Sequence, residues 1–336
     1  MPAAADPATR ISGPHVHENL ALFFIHGPSA PGPVPLTLAE ALAKGNVRVM
    51  ETGTVNELKI ENTGDEDIFI QSGDLVKGGR QDRVLTMSFV LPPKSGEVPL
   101  AAFCVEHGRW SARGMESVAM FAGASEAMPS RAAKLAMRAP VETSAVSGPQ
   151  QAVDPARANP ASVDVHARQQ QVWAEVEKTQ QELSARLTAS VAAPESATSL
   201  QLSLENERLK DARAAYMAAL ERRGAEGDDI VGYVIAINGK VSSADVYPSN
   251  GLFRKMWAKQ LAAGVTEAIG TRTDSPAAAP SKDDVARFLA AAEQGRASKE
   301  TVANVSQQEV RDADLGLFIE ARRTDGVWVH RNYLAK

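Results

Sequence analysis

The sequence predicts an α+β protein: a mainly antiparallel N-terminal β-sandwich or barrel-like sheet, packed with a helical pair and a C-terminal α/β segment. Three observations carry this. Short apolar runs, several alternating with period two, fill residues 18–138 between turns rich in Gly and Pro. Apolar residues then recur at three-to-four- or seven-residue spacing between 172 and 220, as on a helix face. Beyond them a strand pair returns around Asn238-Gly239, followed by capped helices and a terminal hairpin.

Residues 1–17 are expected to form a flexible N-terminal arm. The β-rich segment 18–138 opens on the apolar run Leu20–Ile25. Strands are also expected at Val47–Met50, Leu58–Ile60, Asp67–Gln71, Val84–Leu91 and Val98–Val105. The last carries apolar residues on both faces, the mark of a strand buried on both sides. One short helix interrupts them: Thr37-Leu-Ala-Glu40 fits a capping box and Gly45 a C-terminal stop. Residues 139–163 turn to Ala, Pro, Ser and Gln, which reads as a linker or long loop.

In segment 164–270, Val172, Val176, Leu183, Leu187 and Val191 mark one helix. Leu209, Ala212, Tyr216 and Leu220, closed by Gly224, mark another. A hairpin spans 229–245, and Ser249 caps a helix bearing Leu252, Met256 and Leu261. Segment 271–336 starts loosely. It then places a helix after Ser281-Lys-Asp-Asp284 and a hairpin from Leu315 to Tyr333 around Asp325-Gly326.

Composition narrows the function. The chain has 336 residues, 44% hydrophobic and 23% charged, with a net charge of −5. A general nucleic-acid binder shows a basic face, so that role is not expected; a local basic pocket fits the balance. The single cysteine, Cys104, cannot form an internal disulfide. The N-terminus lacks a basic start followed by an apolar run, and no stretch approaches the roughly 18–20 apolar residues that span a bilayer. The expectation is a cytoplasmic protein with no membrane contact.

The densest polar signal is Gly73–Arg83, with three cations, two carboxylates and an amide in eleven residues. Gly78 and Gly79 let the backbone turn sharply and present N–H groups to an anion. Lys77, Arg80 and Arg83 then supply charge-assisted donors. The alternative is a charged hairpin turn paired internally with Asp74 and Asp82. The Walker spacing is absent. Cys104–Trp110 is the second cluster. In it Glu106 is a candidate general acid or base, Arg109 a second anion contact and Trp110 a stacking surface. The alternative leaves Cys104 as core filler, Glu106 paired with an arginine and Trp110 packed. The third segment, Asn238–Tyr247, offers hydroxyls, Lys240 and Asp245 as one edge of a cleft, or simply a hairpin leading to a helix cap. Trp173, Met256 and Trp257 read as core anchors. His15 and His17 have the spacing of strand metal ligands, but six histidines and one cysteine give no second spaced cluster, so no metal or other cofactor is expected.

GDLVKGGRQDR at 73–83, CVEHGRW at 104–110 and NGKVSSADVYPSNGLFRKMW at 238–257 together resemble the bacterial domain family named for its association with ADP-ribosylglycohydrolase and rhodanese-phosphatase proteins. The resemblance spans about residues 18–265 and leaves 139–162 and the tail beyond about 270 as parts particular to this chain. It implies a link to ADP-ribose or phosphorylated ligands, by association and with no settled activity.

Three readings follow. In the first, an anionic, nucleotide-like small molecule is bound, with Lys77, Arg80 and Arg83 on phosphate around Gly78 and Gly79. Arg109 and Lys240 assist, Gln81 selects, Glu106 moves protons and Trp110 stacks. In the second, the arginine–carboxylate motifs are structural and the chain is a non-catalytic interaction module; the sequence names no protein partner. In the third, His15, His17 and Glu106 hold a hydrolytic metal.

Overall fold

In a computed structural model, residues 10–54, 56–109, 111–123, 128–138, 160–275, 277–302 and 304–336 are described. They form β1 (Arg10–His17), β2 (Leu20–His26), β3 (Leu36–Thr37), α1 (Leu38–Ala43), β4 (Val47–Glu51), β5 (Glu57–Asn62), β6 (Ile68–Ile70) and β7 (Leu75–Gly78). Next come β8 (Arg83–Leu85), β9 (Phe89–Leu91), β10 (Gly96–Cys104), β11 (Phe121–Gly123), α2 (Arg131–Ala136), α3 (Pro160–Leu187), α4 (Leu200–Leu204) and α5 (Glu207–Leu220). The chain closes with β12 (Ile230–Ile237), β13 (Lys240–Val246), α6 (Asn250–Gly270), α7 (Lys282–Ala292), β14 (Arg296–Val302), β15 (Ser306–Ala313), β16 (Gly316–Arg323) and β17 (Trp328–Ala335).

The architecture is α+β, as predicted. An eight-stranded antiparallel sheet runs β1-β2-β12-β13-β17-β16-β15-β14. A six-stranded antiparallel sheet runs β11-β7-β8-β10-β5-β4, and the bridge between Met50 and Met120 nearly closes it into a barrel. A small sheet, β3-β6-β9, joins the two bodies.

The central strands β2 and β12 of the large sheet are buried on both faces, which explains the unbroken apolar run of β2. Leu20, Leu22 and Phe24 pack with α3, α5 and α6 on one side. Ala21, Phe23 and Ile25 pack with Val285 and Phe288 of α7 on the other. Each buried Phe contributes about 1.5–3 kcal/mol by leaving water. The barrel has its own core of Val49, Leu58, Ile60, Val76, Leu85 and Leu100.

Local signals act where they stand. Thr37 and Glu40 exchange both hydrogen bonds of a capping box, as do Ser281 and Asp284. Ser249 caps α6, and Asn238 and Gly239 both take positive φ to turn β12 into β13.

Several expectations need correction. Arg10–His17 is a strand rather than part of an arm, because it pairs along β2. Val84–Leu91 is two strands: β8 stays in the barrel sheet, and the chain then crosses to the small sheet as β9. The strand at Val98–Val105 is not buried on both faces throughout, since Pro99 and Ala101 are exposed where β10 lies along the outer barrel wall. Residues 139–159 of the expected linker lie outside the described residues, and from Pro160 the chain is already helical. Strands β14 and β15, too polar to read as strands, extend the large sheet at its edge. No described helix is long and apolar enough to cross a membrane.

Candidate functional site

The Gly73–Arg83 motif is a hairpin, β7 and β8 with a turn at 79–82, and its two carboxylates serve different polar centres. Gly79 has φ +56, and a Cβ there would sit 2.3 Å from Cζ of Phe121, so only glycine passes beneath that ring. The turn N–H groups are used by the protein. Gly78 N donates to Asp82 Oδ1 at 3.0 Å, Gly79 N to Ser117 O at 3.0 Å and Asp82 N to Glu106 Oε2 at 3.0 Å.

Asp82 and Glu106 are the hubs of the first centre. Arg113 holds Asp82 through both guanidinium ends, and Ser199 Oγ adds a bond at 2.7 Å. Arg109 Nε donates to Glu106 Oε1 at 2.7 Å, and its other nitrogens reach the carbonyls of Gly78, Gly79 and Ser111. Ser196 Oγ also donates to Glu106. Burial pushes the Glu106 carboxyl pKa up, but bonds from Arg109, Ser196 and the Asp82 amide outweigh it and hold the group below its ordinary range. Glu106 is therefore an ionised, fully engaged carboxylate.

The remaining predicted residues divide. Arg83 is fully buried, donating to Gln81 O at 2.9 Å and lying 3.5 Å from Glu51. Gln81 donates to Glu106 O at 3.0 Å and accepts from Cys104 Sγ at 3.1 Å; burial raises that thiol to about 11. Lys77 pairs with Glu205 at 2.8 Å on the half-buried rim. Arg80 is exposed with no ion-pair or hydrogen-bond partner among the described residues. Lys240 is exposed at the start of β13 and shares no bond with these groups. Trp110 lies outside the described residues. His15 and His17 stand against the rings of Phe24 and Tyr216. Among the described residues no group of three or more His, Cys, Asp or Glu could hold a metal ion. Sequence reasoning missed Arg113, although it continues the cation spacing of Arg109, and it missed Ser196, Ser199 and Glu205, which arrive from after α3.

The second centre lies where the large sheet, the small sheet, α2 and α6 meet. Asp245 accepts from His330 Nε2 at 2.9 Å, Asn332 Nδ2 at 2.9 Å, Gln71 Nε2 at 3.2 Å and the Tyr233 hydroxyl. Burial alone raises the Asp245 pKa; His330, Lys134 and Tyr233 bring it below its ordinary value. Asp74, at the far end of the same hairpin from Asp82, pairs with Lys259 at 2.7 Å. A partly open cavity of about 20 Å³ adjoins this centre, lined in part by Arg131, Lys134, Tyr233, Ser242, Gln260 and Glu267. The 238–247 segment thus supplies a cleft edge through Ser242 and Ser243, with Asp245 behind them.

A family model for the ARG and Rhodanese-Phosphatase-superfamily-associated Protein domain, ARPP-1, matches residues 8–334. The chain belongs to the ARPP-1 family. The match runs through β14–β17, so the tail beyond 270 is part of the ARPP-1 domain and not an addition to it, consistent with its place inside the large sheet. Neither a curated protein nor a solved structure matches the chain.

Proposed function

We propose that this ARPP-1 domain is an interaction module whose arginine–carboxylate motifs carry structure rather than catalysis. The observation behind this reading is the saturation of Glu106 and Asp82, whose oxygens all accept from protein donors. A general acid or base needs a free edge toward a substrate, and a phosphate grip needs a free guanidinium face. Here the lattice ties the 79–82 turn to the 105–117 segment and to the start of α4, holding the barrel hairpin in register. The test compares Arg109→Ala with Arg80→Ala in thermal unfolding. The first is expected to lower the midpoint by several degrees and the second to leave it unchanged. Equal midpoints for the two would remove the structural reading.

One observation favours binding of an anionic, nucleotide-like ligand as a second reading. Arg80 is exposed beside the Gly78-Gly79 turn with no partner among the described residues, and the Lys77–Glu205 pair is half-buried at the rim, where an incoming phosphate competes with a carboxylate. The family's association with ADP-ribosylglycohydrolases points the same way by analogy. Thermal shift with ADP-ribose, NAD and inorganic phosphate tests it. Stabilisation by ADP-ribose that vanishes in Arg80→Ala supports it, and no shift at millimolar ligand ends it.

A further inference from the structure

A hydroxyl, an imidazole and a carboxylate stand in line at the β1 edge of the large sheet, away from both polar centres. The β1–β2 register pairs Arg10 with His26 and Ser12 with Phe24, so Ser12 and His26 are diagonal neighbours on one face. Ser12 Oγ lies 2.8 Å from His26 Nε2, and His26 Nδ1 lies 2.8 Å from Oδ1 of Asp229, the residue just before β12. Ser12 is half-buried on an edge strand and open to solvent, while His26 is only 8% exposed and is held in place. Arg10 Nη2 reaches both Nδ1 at 2.9 Å and Asp229 Oδ2 at 3.2 Å. The bond from His26 holds the Asp229 carboxyl below its ordinary pKa against the smaller effect of burial. An ionised carboxylate only accepts, so the Nδ1 contact requires the proton on Nδ1 and leaves the Nε2 lone pair to the Ser12 hydroxyl.

We propose that Ser12, His26 and Asp229 form a nucleophile, base and orienting carboxylate that hydrolyse a small carboxylic ester reaching β1 from solvent. The geometry is that of an activated serine, which is recognised by these contacts and not by chain order. Ser12 Oγ attacks the ester carbonyl carbon, forming a C–O bond as the π pair moves to oxygen, and its proton passes to His26 Nε2. The carbonyl re-forms, the bond to the alcohol oxygen breaks, and that oxygen takes the proton from Nε2. Water then attacks the acyl-serine by the same route, giving the acid and restoring Ser12. One water is consumed and nothing is oxidised or reduced. Gly13, next to the nucleophile, has φ +106 and falls in the register shift between Ser12 and His15; the proposal assigns its N–H to the developing oxyanion. The same order of groups recurs in the second centre, where His330 lies between Ser88 and Asp245, but all three are buried and Ser88 Oγ already accepts from Ser72 N.

The experiment treats the folded full-length chain at pH 8 with an alkyl fluorophosphonate, in which serine oxygen displaces fluoride from phosphorus, followed by peptide mapping. Ser12 is expected to label about a hundred-fold or more faster than the exposed Ser298, with Ser88 unlabelled, and the preference is expected to vanish in urea. Asp229 is half-exposed, and Asp229→Asn is expected to slow Ser12 labelling at least about ten-fold with the melting midpoint unchanged. The parent chain is expected to release nitrophenolate from p-nitrophenyl acetate, and Ser12→Ala is not. Labelling of Ser12 no faster than Ser298 in the folded protein, or equal nitrophenolate release by Ser12→Ala, overturns the proposal. Neither measurement depends on the reading of the arginine motifs.

Discussion

Arg113 grips Asp82 through both ends of its guanidinium, Nη1 on Oδ2 at 3.0 Å and Nη2 on Oδ1 at 3.1 Å, across 31 residues of chain. Both side chains are almost wholly out of water, at 8% and 0% exposure. Breaking such a pair strands a charge, so Arg113→Ala is expected to cost about 3–5 kcal/mol, whereas exposed Arg80→Ala stays within about 0.5 kcal/mol. Urea denaturation of the two variants against the parent checks the contrast.

Acid acts on the same lattice. Glu106 and Asp245 have folded-state pKa values below their ordinary ones, so the unfolded chain binds more protons in the window between the two. Stability from these groups is present above the ordinary carboxylate range and is lost as pH falls through the folded values. Unfolding midpoints measured from pH 6 downward are expected to hold until about pH 4.5 and then drop. In Glu106→Gln the drop is shallower, on a lower plateau.

Cys104 is buried, and its thiol is raised to about 11. Two units above the usual value leaves about a hundredth of the thiolate at a given pH. A chromogenic disulfide reagent at pH 8 is expected to react with the native chain only at the rate of unfolding, and at once in guanidinium.

The Gly79 turn gives a steric test. Gly79→Ala places a methyl into the Phe121 ring at positive φ, and a loss of about 2–4 kcal/mol is expected. Gly45 also has positive φ, but nothing lies within 4 Å of its added Cβ, so Gly45→Ala should cost about 1 kcal/mol. Thermal denaturation of the two variants separates the clash from the backbone preference.

Interactions closed within a few residues were legible from the sequence. Thr37 with Glu40, Ser281 with Asp284, and the Asn238-Gly239 turn act through neighbouring backbone, so the letters themselves specify them. The period-two and helical patterns likewise set the α+β class, because burial of one face is a local demand. Partners remote in sequence were decided by tertiary structure alone. His330 meets Asp245 across 85 residues, Lys77 meets Glu205 across 128, and Met50 meets Met120 to bring the barrel edges together. The composition of Gly73–Arg83 announces charge but not whether a carboxylate already occupies each guanidinium. Lys134, in a stretch with no motif, comes to line the cavity beside Ser242, Gln260 and Glu267 only because folding sets α2 against β13 and α6.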